Sequence, residues 1–203
     1  MKSIKLISIF TALFIMCSCT SEEKNDNPFY QYILRINVQD ASGNDLVKGI
    51  GWDWWQSDVV PEEEATAGGV NRELYSLEVI YPEPCMDTYL LHYSAGGIMD
   101  DLFPTLGIFK KDDNYYLVFD EFSYNGGGCP AAEKLTFKLT CPYIFGDKEV
   151  HEIVTYWKPD PKWDGIKLLR FFCTHIEVDG KAFTQIEHLD AQPISVATVV
   201  LEK

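Results

Sequence analysis

The chain has 203 residues, with 31 acidic residues against 17 basic ones and a formal net charge of −14. A surface that negative repels phosphate backbones and anionic headgroups, which excludes nucleic acid as a partner and charge-driven binding to anionic lipid. A 46% hydrophobic and 14% aromatic composition also excludes intrinsic disorder for the body of the chain.

The first element is an export signal. Lys2 and Lys5 precede residues 6–16, an apolar run broken only by one serine and one threonine. A positive segment followed by a short apolar one is the layout of a signal peptide. A helix that spans the hydrocarbon core needs about 20 apolar residues, so this run is too short to be a permanent anchor. It ends in Met16-Cys17-Ser18-Cys19, which resembles the lipobox of bacterial lipoproteins, where a small residue precedes the cysteine that becomes the acylated N-terminus. Cys19, preceded by Ser18, fits that pattern, whereas Cys17 would put the bulky Met16 at the cleavage position. Cys17 itself stands where the pattern has a small aliphatic residue. The resemblance implies cleavage after residue 18, fatty acylation (palmitate or a related chain) at Cys19, and attachment to a membrane through lipid. Each buried methylene contributes about 0.8 kcal/mol, so two or more chains hold durably where one does not. An ordinary secretory signal cleaved nearby is the alternative.

Residues 20–28 are polar and charged, with no apolar residue, and cannot bury anything. They read as a solvated tether. Glu22, Glu23 and Asp26, close behind the cysteine, resemble the export signals of surface lipoproteins of the Bacteroidetes type, which implies an outer-membrane location facing the exterior. A periplasm-facing anchor is the alternative. The expected organisation is therefore a signal peptide over 1–18, a lipidated cysteine and tether over 19–28, and a single domain over 29–203. Loss of Lys2 and Lys5 leaves 15 basic against 31 acidic residues, a net charge of −16 for the mature chain.

Within the domain, residues 31–39 alternate, with Tyr32, Leu34, Ile36 and Val38 on one face, and predict a half-buried strand. Residues 40–45 carry turn chemistry, and 46–49 are expected to start the return strand. A strand followed by Asp-x-x-Gly-Asn-x-Leu resembles the opening of many immunoglobulin-like and prealbumin-like β-sandwiches on bacterial surfaces. Residues 61–67 are the one helix candidate, short and acidic. Tyr75, Leu77, Val79 and Tyr81 alternate again, and Pro82 ends that strand. Residues 106–110 and 115–122 flank Lys111-Asp112-Asp113-Asn114 as a hairpin. Gly126-Gly127-Gly128 lacks the lysine and the following helix of a phosphate loop. Residues 134–141 and 149–157 are expected to pair across 142–148, with Pro159-Asp160-Pro161 as an open connection. Residues 166–178 read as a buried strand ending in an Asp179-Gly180 turn, and 194–201 as the closing strand. With seven to nine strands and no convincing helix, the predicted class is all-β, an antiparallel β-sandwich.

Four cysteines remain in the domain, in a compartment that permits disulfides. Cys85 and Cys129 sit in turn-rich loops and form the favoured pair; Cys141 and Cys173 lie in strand patterns, where they either pair or pack as small hydrophobes. No zinc-ligand spacing occurs.

Three constellations bear on function. Trp52, Asp53, Trp54, Trp55 and Gln56 place three indoles beside an acid and an amide; flat indoles stack on sugar rings, and the polar groups can bond hydroxyls. The same residues can instead build core. Trp157 and Trp163 extend such a platform if the loops meet. Asp40, Asn44 and Asp45 make an oxygen-rich turn, as do Asp112, Asp113 and Asn114, and Asp160 with Asp164; hard cations such as calcium (Ca2+) take oxygen ligands from turns of this kind, although Asp and Asn favour turns without any metal. No other cofactor is implied. The histidines, His92, His151, His175 and His188, are isolated, and neither HExxH nor G-x-S-x-G occurs. The expectation is a lipid-anchored, non-catalytic envelope or cell-surface module that binds a glycan or a protein ligand. The alternatives are a lipid-tethered glycan hydrolase, whose paired acids no spacing reveals, and a protein-contact scaffold.

Overall fold

The computed structural model describes residues 29–54, 66–80, 90–94, 97–98, 105–125, 131–164, 168–189 and 194–202. The expected signal over 1–18 and the expected lipidated cysteine and tether over 19–28 lie outside them, as does most of the helix candidate at 61–67.

Among the described residues fourteen strands, more than the seven to nine expected, form one curled, open sheet, and the chain is all-β. In chain order they are β1 (Phe29–Asp40), β2 (Trp52–Trp54), β3 (Ala67–Val70), β4 (Ser76–Ile80), β5 (Leu90–Ser94), β6 (Gly97–Ile98), β7 (Leu106–Lys111), β8 (Asn114–Asn125), β9 (Lys134–Thr140), β10 (His151–Asp164), β11 (Leu168–Val178), β12 (Lys181–Phe183), β13 (Ile186–Leu189) and β14 (Ile194–Leu201). The main path runs β2-β3-β7-β8-β1-β11-β10-β9-β4, with β14 joined to β1 and β13 to β14.

β1 organises this sheet. Its apolar face is as expected, with Tyr32, Leu34, Ile36 and Val38 all buried. Ile33 and Asn37 on the opposite face are buried too, so the strand is covered on both faces over much of its length and is not the half-buried strand expected. Along one side it pairs antiparallel with β8. Along the other it pairs in parallel, first with β11 from Phe29 to Tyr32 and then with β14 from Leu34 to Asp40. The wholly antiparallel expectation is corrected here. The change of partner falls at Ile33, opposite a bulge in β8 that shifts the register between Tyr32 and Leu34.

Curling brings strands that are not neighbours face to face. Phe119 of β8 meets Phe137 of β9 with ring centroids 4.7 Å apart, although β1, β11 and β10 lie between them in the strand order. Tyr32 stacks on Phe171 at 4.7 Å and meets Trp157 edge-on at 5.1 Å. Tyr32 Oη also accepts the Ala132 N–H at 2.8 Å, so this buried phenol is satisfied. Near the open ends, the Leu106 N–H donates to Tyr75 Oη at 3.0 Å.

Other expectations change locally. Residues 46–49 do not return as a strand: Asp45 makes an isolated bridge to Gln39, its Oδ1 accepts the N–H groups of Val47 and Lys48, and Val47 turns into the core. Pro159-Asp160-Pro161 lies inside β10, where Pro159 pairs with Phe171 and the register breaks before Asp164; a proline is tolerated in a strand at such an irregularity. The connection from β9 to β10 contains a one-turn helix, α1 (Pro142–Phe145), started by proline at its first position and ended by Gly146 in the left-handed region at φ 83°. The predicted turn at Asp179-Gly180 holds, with φ 48° and 78°. Cys141 and Cys173 are both buried and are not joined in a disulfide, so they pack as small hydrophobes. Cys85 and Cys129 lie outside the described residues.

Candidate functional site

Of the tryptophan segment, Trp52–Trp54 form β2, which ends the strand order among the described residues. β2 pairs with β3 through Trp52 and Val70, Asp53 and Gly69, and Trp54 and Gly68. Trp52 is half-buried and packs against the core. Its indole lies over Gly68, where a Cβ would overlap both the ring and the Asp53 carbonyl oxygen. Only glycine allows this approach. Asp53 points the other way and is exposed. Trp54 is placed by its backbone alone, and Trp55 and Gln56 lie outside the described residues. Trp157 does not extend the platform: it is buried, and its Nε1–H donates to Thr155 Oγ1 at 2.7 Å. The Trp163 and Asp164 side chains lie outside the described set.

The oxygen-rich turn after β1 is held by its own side chains. Asp40 Oδ1 accepts the N–H groups of Ser42 and Asn44, and Oδ2 accepts the Asn44 amide at 2.7 Å. The Asn44 side-chain bond, followed by these backbone bonds, lowers the Asp40 pKa. Asp45 Oδ2 accepts the Tyr115 N–H at 2.8 Å and so fastens the turn to the β7–β8 hairpin. Asp112, at φ 55°, makes the tip of that hairpin. Asp160 lies within β10. Among the described residues no group of three or more His, Cys, Asp or Glu side chains is placed to hold a metal ion.

The histidines separate into distinct settings. His175 stacks on Tyr156 at 4.0 Å with the rings 8° apart, and Tyr156 Oη donates to Glu177 at 3.2 Å. Burial first, then that bond to Glu177, raises the Tyr156 pKa. His188 Nδ1 lies 3.3 Å from Ser195 Oγ, a contact that invites comparison with a nucleophile and its base. Ser195 is fully buried, however, and its hydroxyl already accepts the Cys173 N–H at 2.8 Å. It ties two strands together. His92 lies in β5, with its side chain outside the described set.

His151 has the densest polar surroundings. Its Nδ1 is 2.7 Å from Asp179 Oδ2, its Nε2 is 3.0 Å from Asp147 Oδ1, and Phe145 stacks on the ring at 3.7 Å. Sequence reasoning placed His151 in a strand and missed both partners. Asp147 stands four residues before it, which is a usable signal, whereas Asp179 arrives only through the pairing of β10 with β11.

Comparison with protein-family models, with curated proteins and with solved structures finds no match to this chain. Among the described residues no helix is long and apolar enough to cross a membrane.

Proposed function

We propose that this chain is a lipid-anchored, non-catalytic envelope lipoprotein of the bacterial outer membrane, exposed at the cell surface, and that its β domain acts as a binding or structural module. One observation carries this reading: Lys2, Lys5 and the apolar run 6–16 end at Ser18-Cys19 and lead into an acidic, wholly polar tether. That order supplies export, an acylation point and a spacer, which together serve no purpose in a protein kept inside the cell. The domain over 29–203 belongs with immunoglobulin-like or prealbumin-like sandwiches in this reading; the packing of β8 on β9 through Phe119 and Phe137 supports it.

The module binds glycans through the segment at 52–56, or a protein partner. The exposed Asp53 on the edge strand β2 supports the glycan form, because an accessible carboxylate accepts hydrogen bonds from sugar hydroxyls. The test is a glycan array probed with the purified chain and with Trp54→Ala. Binding that the substitution abolishes is the expected result. An empty array, or one unchanged by the substitution, would refute the glycan form and leave the protein-contact form to be tested by cross-linking on whole cells.

A further inference from the structure

His151 opens β10 with its imidazole between two carboxylates that come from different loops. Asp147 lies in the α1–β10 connection and Asp179 begins the β11–β12 turn. A neutral imidazole has one N–H and one lone pair, so it can donate to only one of two facing carboxylates and turns a lone pair toward the other. Only the imidazolium donates to both. Partial burial opposes the charge, but the hydrogen bonds and charges of Asp179 and Asp147 outweigh it and raise the pKa above the ordinary 6.5. These two carboxylates are the charged groups that act on the ring among the described residues. β9 meets His151 through the uncharged Leu139, and α1 covers the ring with Phe145.

The same groups hold the surrounding backbone. Asp147 Oδ1 accepts the Glu149 N–H at 2.9 Å, and Asp179 Oδ1 accepts the Glu152 N–H at 2.9 Å. The Asp179 N–H returns to the Glu152 carbonyl at 2.9 Å. Beneath them, Phe145 forms part of the wall of a small apolar cavity at this end of the core, with Ile36, Val38, Leu117, Val178 and Val199 among its other walls. The carboxylates reach the ring from its two nitrogens and do not converge on one point, so the trio does not form a metal site.

We propose that Asp147, His151 and Asp179 form a pH-operated latch, which in its protonated state clamps α1 over the end of the core and on deprotonation lets Phe145 lift from the apolar interior. The raised histidine sets the sign: the clamp is fully present below pH 6.5 and is lost as pH rises through the folded-state pKa. Release needs no new partner, since a neutral ring must give up one carboxylate. The latch is independent of the ligand and of the anchor.

The test follows the purified chain in detergent from about pH 5 to about pH 9, a range that spans histidine titration. NMR reads the His151 ring, and amide hydrogen exchange, corrected for its intrinsic pH dependence, reads residues 142–150. His151 is expected to titrate above 6.5. The protection of the Gly146 N–H, which bonds the Pro142 carbonyl, should fall in step, by roughly tenfold for each unit by which the midpoint lies above 6.5. Asp147→Asn should move both midpoints down together. A ring that titrates at or below 6.5, or protection that stays flat while the ring titrates, would overturn the latch.

Discussion

The backbone N–H of Cys173 donates to the side-chain oxygen of Ser195 at 2.8 Å, at the place where β11 parts from β1 and β14 takes its position. The last β1–β11 pair is Tyr32 with Phe171, and the first β1–β14 pair is Leu34 with Ser195. A strand that leaves its neighbour exposes a donor that must be satisfied if it stays buried, and Ser195 supplies the acceptor. Ser195→Ala should therefore destabilise the domain by about 1–3 kcal/mol, the cost of an unpaired buried donor. Urea denaturation checks this: the midpoint should fall while the slope stays unchanged. An unchanged midpoint would mean that the hydroxyl has no part in joining the strands.

The two described thiols should be silent in the native protein. Cys141 and Cys173 are both buried, and burial pushes the Cys173 thiol up to about 12, from an ordinary 9.0. Reaction proceeds through the thiolate, whose population at Cys173 is then about a thousandfold below that of an exposed cysteine. Alkylation followed by mass mapping should leave both residues unmodified in buffer and label both in strong denaturant. Labelling of Cys173 in buffer at the rate of a free thiol would contradict the packing described.

Gly68 should resist even the smallest side chain. Its Cα lies under Trp52, and a Cβ would overlap the ring and the Asp53 carbonyl. Gly68→Ala should cost about 1–3 kcal/mol through overpacking and separate β2 from β3. Thermal melting gives the loss of stability, and tryptophan fluorescence of the folded variant should shift to the red as Trp52 gains solvent. Unaltered fluorescence and melting would place the indole elsewhere.

The sequence and the structure agree wherever one face of a strand meets the core. β9 and β14 carry a period of two, because a register slip would move their apolar side chains to solvent, whereas in β1 and β7 neighbouring positions are buried as well. What the sequence did not disclose depends on contacts between distant segments. Nothing local in β1 says that its outer neighbours are β11 and β14 and that they run parallel to it. Two prolines around Asp160 read as an opening, yet β10 carries them at a break in register. The Asp45 carboxylate turned residues 46–49 from an expected strand into a bend by capping two amides. At the candidate site, the indoles were visible as residues but the seat of Trp52 over Gly68 was not, and His151 joins Asp179 only through tertiary pairing.

Stability should vary with pH on both sides of a mildly acidic optimum. Asp40 is held below its ordinary 3.8, first by the Asn44 side chain, and Glu202 below its ordinary 4.5 by Lys181. Depressed carboxyl pKa values contribute stability above the ordinary values and lose it as pH falls through the folded ones. The raised His151 contributes below 6.5 and loses its part as pH rises. All three act together between 4.5 and 6.5, so the melting temperature should be highest in that window. His151→Phe should flatten the decline on the alkaline side and leave the acid side as it was. An alkaline limb unchanged by the substitution would remove His151 from the account.

The most direct measurement of the central claim, a lipid anchor at Cys19, is metabolic labelling of expressing cells with an alkyne fatty acid. The chain and its Cys19→Ser variant are compared after capture. Label on the chain, its absence from the variant, and a mature N-terminus at residue 19 are the predicted result. Equal labelling of both, or none on either, would contradict it.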